Sequence, residues 1–204
     1  MSKKRPKSSV PTGSPDVVIL AGPNGAGKST TAPALLKDLL AIDDFVNADV
    51  IAEGLSGFAP DAMALEAADI MLRRIRSLAE AGASFAFETT MASRSYASWL
   101  RQLIASGYRV HLIFLWLSSA DLAVERVAQR VRLGGHAVPE ETIRRRYGAG
   151  LRNFFRLYRP LATTWRLYDN SEAGAPRLIA AGQRNRTSRV ADRETWRSIQ
   201  KEMR

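Results

Sequence analysis

The chain has 204 residues, 46% of them hydrophobic, with a formal net charge of +10 and no cysteine. This length suits one domain with a sizeable core. The lack of cysteine excludes a disulfide framework or thiolate zinc site, and no apolar run approaches the roughly 20 residues that cross a bilayer. Met1 to Pro15 has no apolar h-region of a secretory signal, so a cytoplasmic location is expected. That first segment is rich in Lys, Ser and Pro and reads as a disordered basic tail. Val17 to Ala21, β-branched and apolar with a glycine after it, predicts a buried parallel strand. A helix follows over Lys28 to Leu40, a short strand within Asp44 to Asp49, and a long helix over Pro60 to Ala81 that Gly82 ends. Ser84 to Phe87 is a third strand, and Tyr96, Trp99, Leu100, Leu103 and Ile104 recur at helical spacing before Gly107.

Arg109 to Leu117 is the most apolar strand, and so is expected at the centre of the sheet. A capped helix opens near Ser118 and Asp121 and runs to about Arg132. Gly134 and Gly135 break it, and Pro139, Glu140 and Glu141 open another. Trp165 to Tyr168 and Leu178 to Ala181 read as closing strands, and Ala191 to Met203 as a terminal helix. Strands alternating with helices predict a three-layer α/β/α fold of the P-loop NTPase, kinase-like type. It has a mainly parallel sheet whose strand C-terminal ends share the ligand edge. The domain is expected over 16–182, with a helical lid at about 126–147 and a basic segment with a terminal helix over 183–204.

The charge is unevenly placed. Residues 1–14 carry four basic residues and no acids, and 177–204 carry eight basic and three acidic residues. These ends read as solvated extensions, with binding of nucleic acid or anionic surfaces as the alternative. Within the middle, residues 122–166 hold ten arginines against three glutamates. A site that handles phosphates needs such a segment.

Gly22-Pro23-Asn24-Gly25-Ala26-Gly27-Lys28-Ser29-Thr30 satisfies G-x-x-x-x-G-K-[ST] between a strand and a helix. Gly25 and Gly27 let the backbone turn successive N–H groups toward phosphates, and the following helix adds its positive end. Lys28 would reach the β- and γ-phosphates of ATP, and the Ser29 hydroxyl would hold Mg²⁺. No apolar strand ends in Asp-Glu and no Leu-Ser-Gly-Gly-Gln occurs, which argues against a transporter motor. The missing Asn-Lys-x-Asp favours ATP over GTP.

Asn47-Ala48-Asp49 closes the second predicted strand, where residues 47 and 49 would share a face beside the γ-phosphate. Asp49 can accept the proton of an attacking hydroxyl, or it can cap a helix beginning at Val50. Glu88, in Phe87-Glu88-Thr89-Thr90, follows the third strand at the same edge and can bind substrate hydroxyls or a metal-bound water. Arg126 and Arg130 share a helical face and suit a lid that neutralises the transferring phosphate. Arg132 points to another face of that helix and, like Asn47 and His136, is a candidate to touch the substrate, and of Arg144, Arg145 and Arg146 at most one can face the site. His136 lies in the lid without partner ligands for a metal, and His111 reads as structural.

Together these residues resemble the zeta-toxin family of P-loop kinases, especially its short bacterial members. The likeness runs from about Val17 to Ser171 and rests on the P-loop, Asn47-Ala48-Asp49, Phe87-Glu88-Thr89-Thr90 and the arginine-rich stretch through Gly134-Gly135-His136-Ala137-Val138-Pro139. The resemblance implies phosphorylation of a hydroxyl on UDP-N-acetylglucosamine and an antitoxin partner. It also implies that Lys28 binds the phosphates, Asp49 is the general base, Glu88 and Thr90 touch the substrate, and two arginines clamp the phosphate. The chain departs from the family where His136 replaces an arginine, and it lacks the long extensions of larger toxins. The expected activity is therefore ATP- and Mg²⁺-dependent phosphorylation of a small-molecule hydroxyl. A nucleotide-switched binding protein and a polynucleotide kinase are the rivals.

Overall fold

The computed structural model describes residues 13–37, 42–56 and 60–203. Most of the basic N-terminal tail and the expected last turn of the first helix lie outside them. Five parallel strands, β1 (Asp16–Ala21), β2 (Phe45–Val46), β3 (Phe85–Thr89), β4 (Arg109–Trp116) and β5 (Thr164–Asp169), are joined by antiparallel β6 (Arg177–Gln183) and β7 (Arg186–Val190). The sheet order is β2-β3-β1-β4-β5-β6-β7, so the apolar β4 is the middle strand, as its composition implies.

Helices cover both faces. Alternate residues of each strand face opposite sides, and the two sets build separate cores. Val17, Ile19, Phe85 and Phe87 pack with α3 (Ala64–Glu80) and α4 (Tyr96–Ala105), while Trp165 packs with α7 (Arg193–Glu202). Val18, Leu20, Ile113 and Leu115 pack with α1 (Lys28–Lys37), α5 (Ala120–Arg132) and the start of α6 (Glu140–Asn153). The expected α/β/α architecture is the one observed.

Three details differ from the sequence reading. β2 stops at Val46, and Asn47 caps a helix, α2 (Ala48–Leu55), its Oδ1 accepting the Asp49 backbone N–H at 2.8 Å. Residues 47 and 49 therefore do not share a strand face: the cap bond turns the chain into a helix, and Asp49 lies in its first turn. The long helix predicted from Pro60 begins as a 3₁₀ turn, Pro60–Met63, before α3. The C-terminal basic segment contributes both β7 and α7, and the Trp196 ring stacks on Trp165 with centroids 5.9 Å apart. Its arginines sit on the exposed positions of those elements, so charge composition alone hid a buried face.

At the start of the sheet, Asp16 is buried and holds Arg109 through two bonds of 2.7 Å and His111 Nε2 at 2.9 Å. His111 Nδ1 bonds the Thr164 hydroxyl at 2.8 Å, so the cluster ties β1, β4 and β5 together. Burial alone would raise the Asp16 pKa, but the Arg109 fork and His111 outweigh it and hold the carboxyl below 3.8. Because the folded value is the lower one, this contribution to stability is complete above pH 3.8 and is lost as pH falls through the folded value. Asp16→Ala is expected to cost about 1 kcal/mol at neutral pH by removing the acceptor of the partly buried His111 and of Arg109. In a pH series of thermal unfolding, the gap between variant and wild type should close on strong acidification. An unchanged gap would show that the carboxylate is not the source.

Candidate active site

The P-loop leaves β1 and turns into α1. Gly25 and Gly27 have φ of 77° and 73°, in the left-handed region. A Cβ at Gly25 would stand 2.8 Å from the Ala123 carbonyl, and one at Gly27 would stand 2.9 Å from Asn170 Nδ2. The loop is held from outside as well as by its own turns. Asn170 Nδ2, just after β5, donates to the Ala26 carbonyl at 2.8 Å.

Lys28 is buried, donates to the Pro23 carbonyl at 3.0 Å and lies 3.5 Å from Glu88 Oε1. Burial pushes its pKa down, and Glu88 and Asp49 oppose that by favouring the charged form. Glu88, at the C-terminal end of β3, is the hub of the site. Its Oε2 accepts from Ser29 Oγ and from Asn47 Nδ2, each at 2.8 Å, and Asn47 Nδ2 also lies 3.2 Å from Ser29 Oγ. Asn47 thus caps α2 with its oxygen and joins the phosphate site with its nitrogen. Ser29 and Glu88 are hard oxygen donors of the kind Mg²⁺ accepts. Among the described residues no three His, Cys, Asp or Glu side chains cluster. A Mg²⁺ held here would therefore draw its other ligands from phosphate oxygens and water.

Two cavities meet at this hub. One, of about 260 Å³, lies over the P-loop and is lined by Lys28, Ser29, Thr30, Arg126 and Arg130. The other, of about 280 Å³, runs toward α3 and is lined by Asn47, Thr90, Tyr96, His136 and Arg146 with apolar residues such as Met71. Asn24, Lys28, Asp49 and Glu88 line both.

The arginines divide by partner. Arg126 spends its guanidinium on the carbonyls of Asn170 and Ser171, both at 2.7 Å, which braces the loop that supports the P-loop. Arg130 stands 4.0 Å from Asp49 Oδ2 and donates to the His136 carbonyl at 2.7 Å, and its buried Nε has no partner among the described residues. Arg132 is exposed and lines neither cavity. Of the three successive arginines in α6, Arg144 pairs with Asp121 and Glu140, Arg145 is exposed, and Arg146 turns inward to within 3.4 Å of Asn24 Oδ1. Burial, then Arg145, pushes the Arg146 pKa down, and Asp49 opposes them.

Sequence reasoning allowed one functional arginine in that run without identifying it, and it missed Asn170. Helical spacing could not choose among the three arginines, because the choice depends on where α6 packs. Asn170 carried no local signal. The wall at Thr90 was likewise unforeseen in its cause. A Cβ at Gly150 of α6 would stand 2.6 Å from the Thr90 carbonyl, and Asn153 Nδ2 donates to the Met91 and Ala92 carbonyls at 3.0 Å each.

Comparison with known proteins gives the same architecture. An uncharacterized protein of Haemophilus influenzae is 24% identical over 130 residues, 64% of this chain and 91% of that protein. The crystal structure of AvrRxo1-ORF1:-ORF2 with ATP superposes with a TM-score of 0.70 at 20% identity, over 92% of this chain and 64% of that chain. This chain therefore spans less than two thirds of that protein's length. The structure from the PezAT chromosomal toxin-antitoxin system of Streptococcus pneumoniae superposes with a TM-score of 0.62 at 13% identity, covering 97% of this chain and 89% of that one. At such identities the shared property is the fold, a P-loop, kinase-like α/β sandwich. Residues 17–148, from the first residues of β1 through the P-loop to the middle of α6, match the family model described as an AAA domain (AAA_33), and the chain belongs to that nucleotide-binding family.

Proposed function

We propose that the chain is an ATP-dependent phosphotransferase of zeta-toxin type that moves the γ-phosphoryl group to a hydroxyl of a small molecule. The observation that supports this reading is the meeting of two cavities at Asn24, Lys28, Asp49 and Glu88. A nucleotide hydrolase needs the P-loop cavity only. A transferase also needs a second space that opens on the same phosphate, with a base between the two.

In this reading ATP lies along Gly22 to Thr30, and its γ-phosphate faces Lys28 and Arg130. The acceptor occupies the cavity edged by Asn47, Glu88, Thr90 and His136. Asp49 takes the proton of the acceptor hydroxyl. The oxygen forms a bond to the γ-phosphorus as the bond to the β-phosphate oxygen breaks, and ADP leaves with that electron pair. Lys28, Arg130 and Arg146 neutralise charge on the transferring group, while Arg126 holds the framework. Mg²⁺, bound at Ser29 and Glu88, would supply further neutralisation of the phosphates. Closure of the 126–147 segment would exclude water from the transfer. An antitoxin protein as partner belongs to the same reading.

The test is incubation with ATP labelled at the γ-position and a panel of nucleotide sugars that includes UDP-N-acetylglucosamine. Label on a sugar hydroxyl is the expected result. Release of labelled phosphate alone, across nucleotide sugars, free sugars and oligonucleotides, would sink the transferase reading.

A further inference from the structure

The basic C-terminal segment has no part in the proposed chemistry, yet the fold arranges it. On the side of the sheet built by Val18, Leu20, Ile113 and Leu115, the covering core draws from α1, α5 and α6 and takes no buried residue from β5, β6 or β7. These strands are covered mainly on the opposite side, where Trp165, Leu167, Ile179 and Ala180 meet the main core, and Tyr168 at the end of β5 is the residue of theirs that packs against the second core. The remaining face is open.

Register shows what it carries. Arg166 pairs with Ala181, and Ala181 pairs with Arg189, so two arginines stand in one row across three strands. With strands about 4.8 Å apart, their backbones are about 10 Å from each other. Arg186 pairs with Gln183 on the same face, because a bulge separates it from Arg189 and restores the alternation. All three arginines are exposed. Among the described residues none has a carboxylate within 4.0 Å, whereas the exposed Arg109, Arg144 and Arg177 each do.

We propose that the open face of β5–β7 is a docking surface for the phosphate backbone of a nucleic-acid duplex. Unpaired guanidinium groups on a rigid sheet match phosphates, which arginine grips in bidentate fashion. A single strand would call for exposed aromatic platforms on which bases stack. The one aromatic on these strands' open side, Tyr168, is half-buried against the covering core. An acidic protein partner would need an apolar centre between the charges, and the positions between the arginines are Ala181 and Gln183.

The experiment is fluorescence anisotropy with the full chain and three probes: a DNA duplex of about 20 base pairs, a single strand of equal length, and polyglutamate, each over a salt series. Wild type is expected to bind the duplex best, with affinity falling steeply as salt rises. The triple variant Arg166→Gln/Arg186→Gln/Arg189→Gln should lose at least about tenfold in affinity and flatten the slope of log K against log salt by about two to three. A charge-matched control, Arg73→Gln/Arg76→Gln/Arg101→Gln, removes exposed arginines from α3 and α4 on the other face and should keep the wild-type slope. Unchanged thermal midpoints would show that both variants fold. Equal losses in both variants would reduce the effect to net charge and overturn the proposal. So would preferred binding of the single strand or of polyglutamate, or no duplex binding by wild type.

Discussion

Asp49→Asn is expected to lower phosphoryl transfer by about 10²- to 10⁴-fold, the usual worth of a positioned general base, while nucleotide binding stays close to wild type. The separation follows from placement. Asp49 stands at the junction of the two cavities, on the first turn of α2, and makes no hydrogen bond to the P-loop. Its backbone N–H, which carries the cap bond from Asn47, is untouched by the substitution. An asparagine of the same shape keeps α2 in place but cannot take a proton. The measurement is turnover with an acceptor beside nucleotide affinity by titration calorimetry. Transfer at the wild-type rate would show that another group, or none, removes the proton.

Lys28→Met should lower transfer by about 10²- to 10³-fold through loss of a charge aimed at the transferring phosphoryl group, and here nucleotide affinity falls with it. The variant has a second consequence peculiar to this site. Glu88 is nearly buried, and its partners are Lys28, Ser29 and Asn47. Without Lys28 it keeps two neutral donors but no counter-charge, which should cost about 2 kcal/mol of stability. The double variant Lys28→Met/Glu88→Gln removes the stranded charge and should regain most of that stability without regaining activity. Denaturant melts of both variants decide it. A double variant no more stable than Lys28→Met would mean that the Lys28–Glu88 pair is not what balances the site.

The parts legible beforehand share a property: their signals are local. The P-loop is a contiguous run in which each residue type answers a backbone or phosphate requirement, so it could be read before any tertiary contact was known. The apolar runs at Val17 to Ala21 and Arg109 to Leu117 and the helical stripe from Tyr96 to Ile104 were equally plain, since burial imposes their periods. β7 was not, because Arg186 to Val190 is almost wholly exposed and its strand state comes from pairing with β6. The helix α2 was only half visible. Asn47 offered a cap, but a strand ending at Asp49 satisfied the same residues. The bonds that hold Asn47 in the capping position, from its Nδ2 to Glu88 and Ser29, span 41 and 18 residues.

The arginines show the same division within one residue type. Composition placed ten of them between residues 122 and 166, as a segment that handles phosphates needs. It could not say that Arg126 would be bound to two carbonyls after β5, that Arg144 would pair with acids, or that Arg146 would turn toward Asn24. By itself, then, the sequence determined that a phosphate cradle follows the first strand, that Glu88 stands at the end of the third, and that an α/β sandwich carries them. Only the tertiary structure decided which side chains meet at the cradle. Local sequence sets what each residue can do, but long-range packing sets what lies within a few ångströms of it.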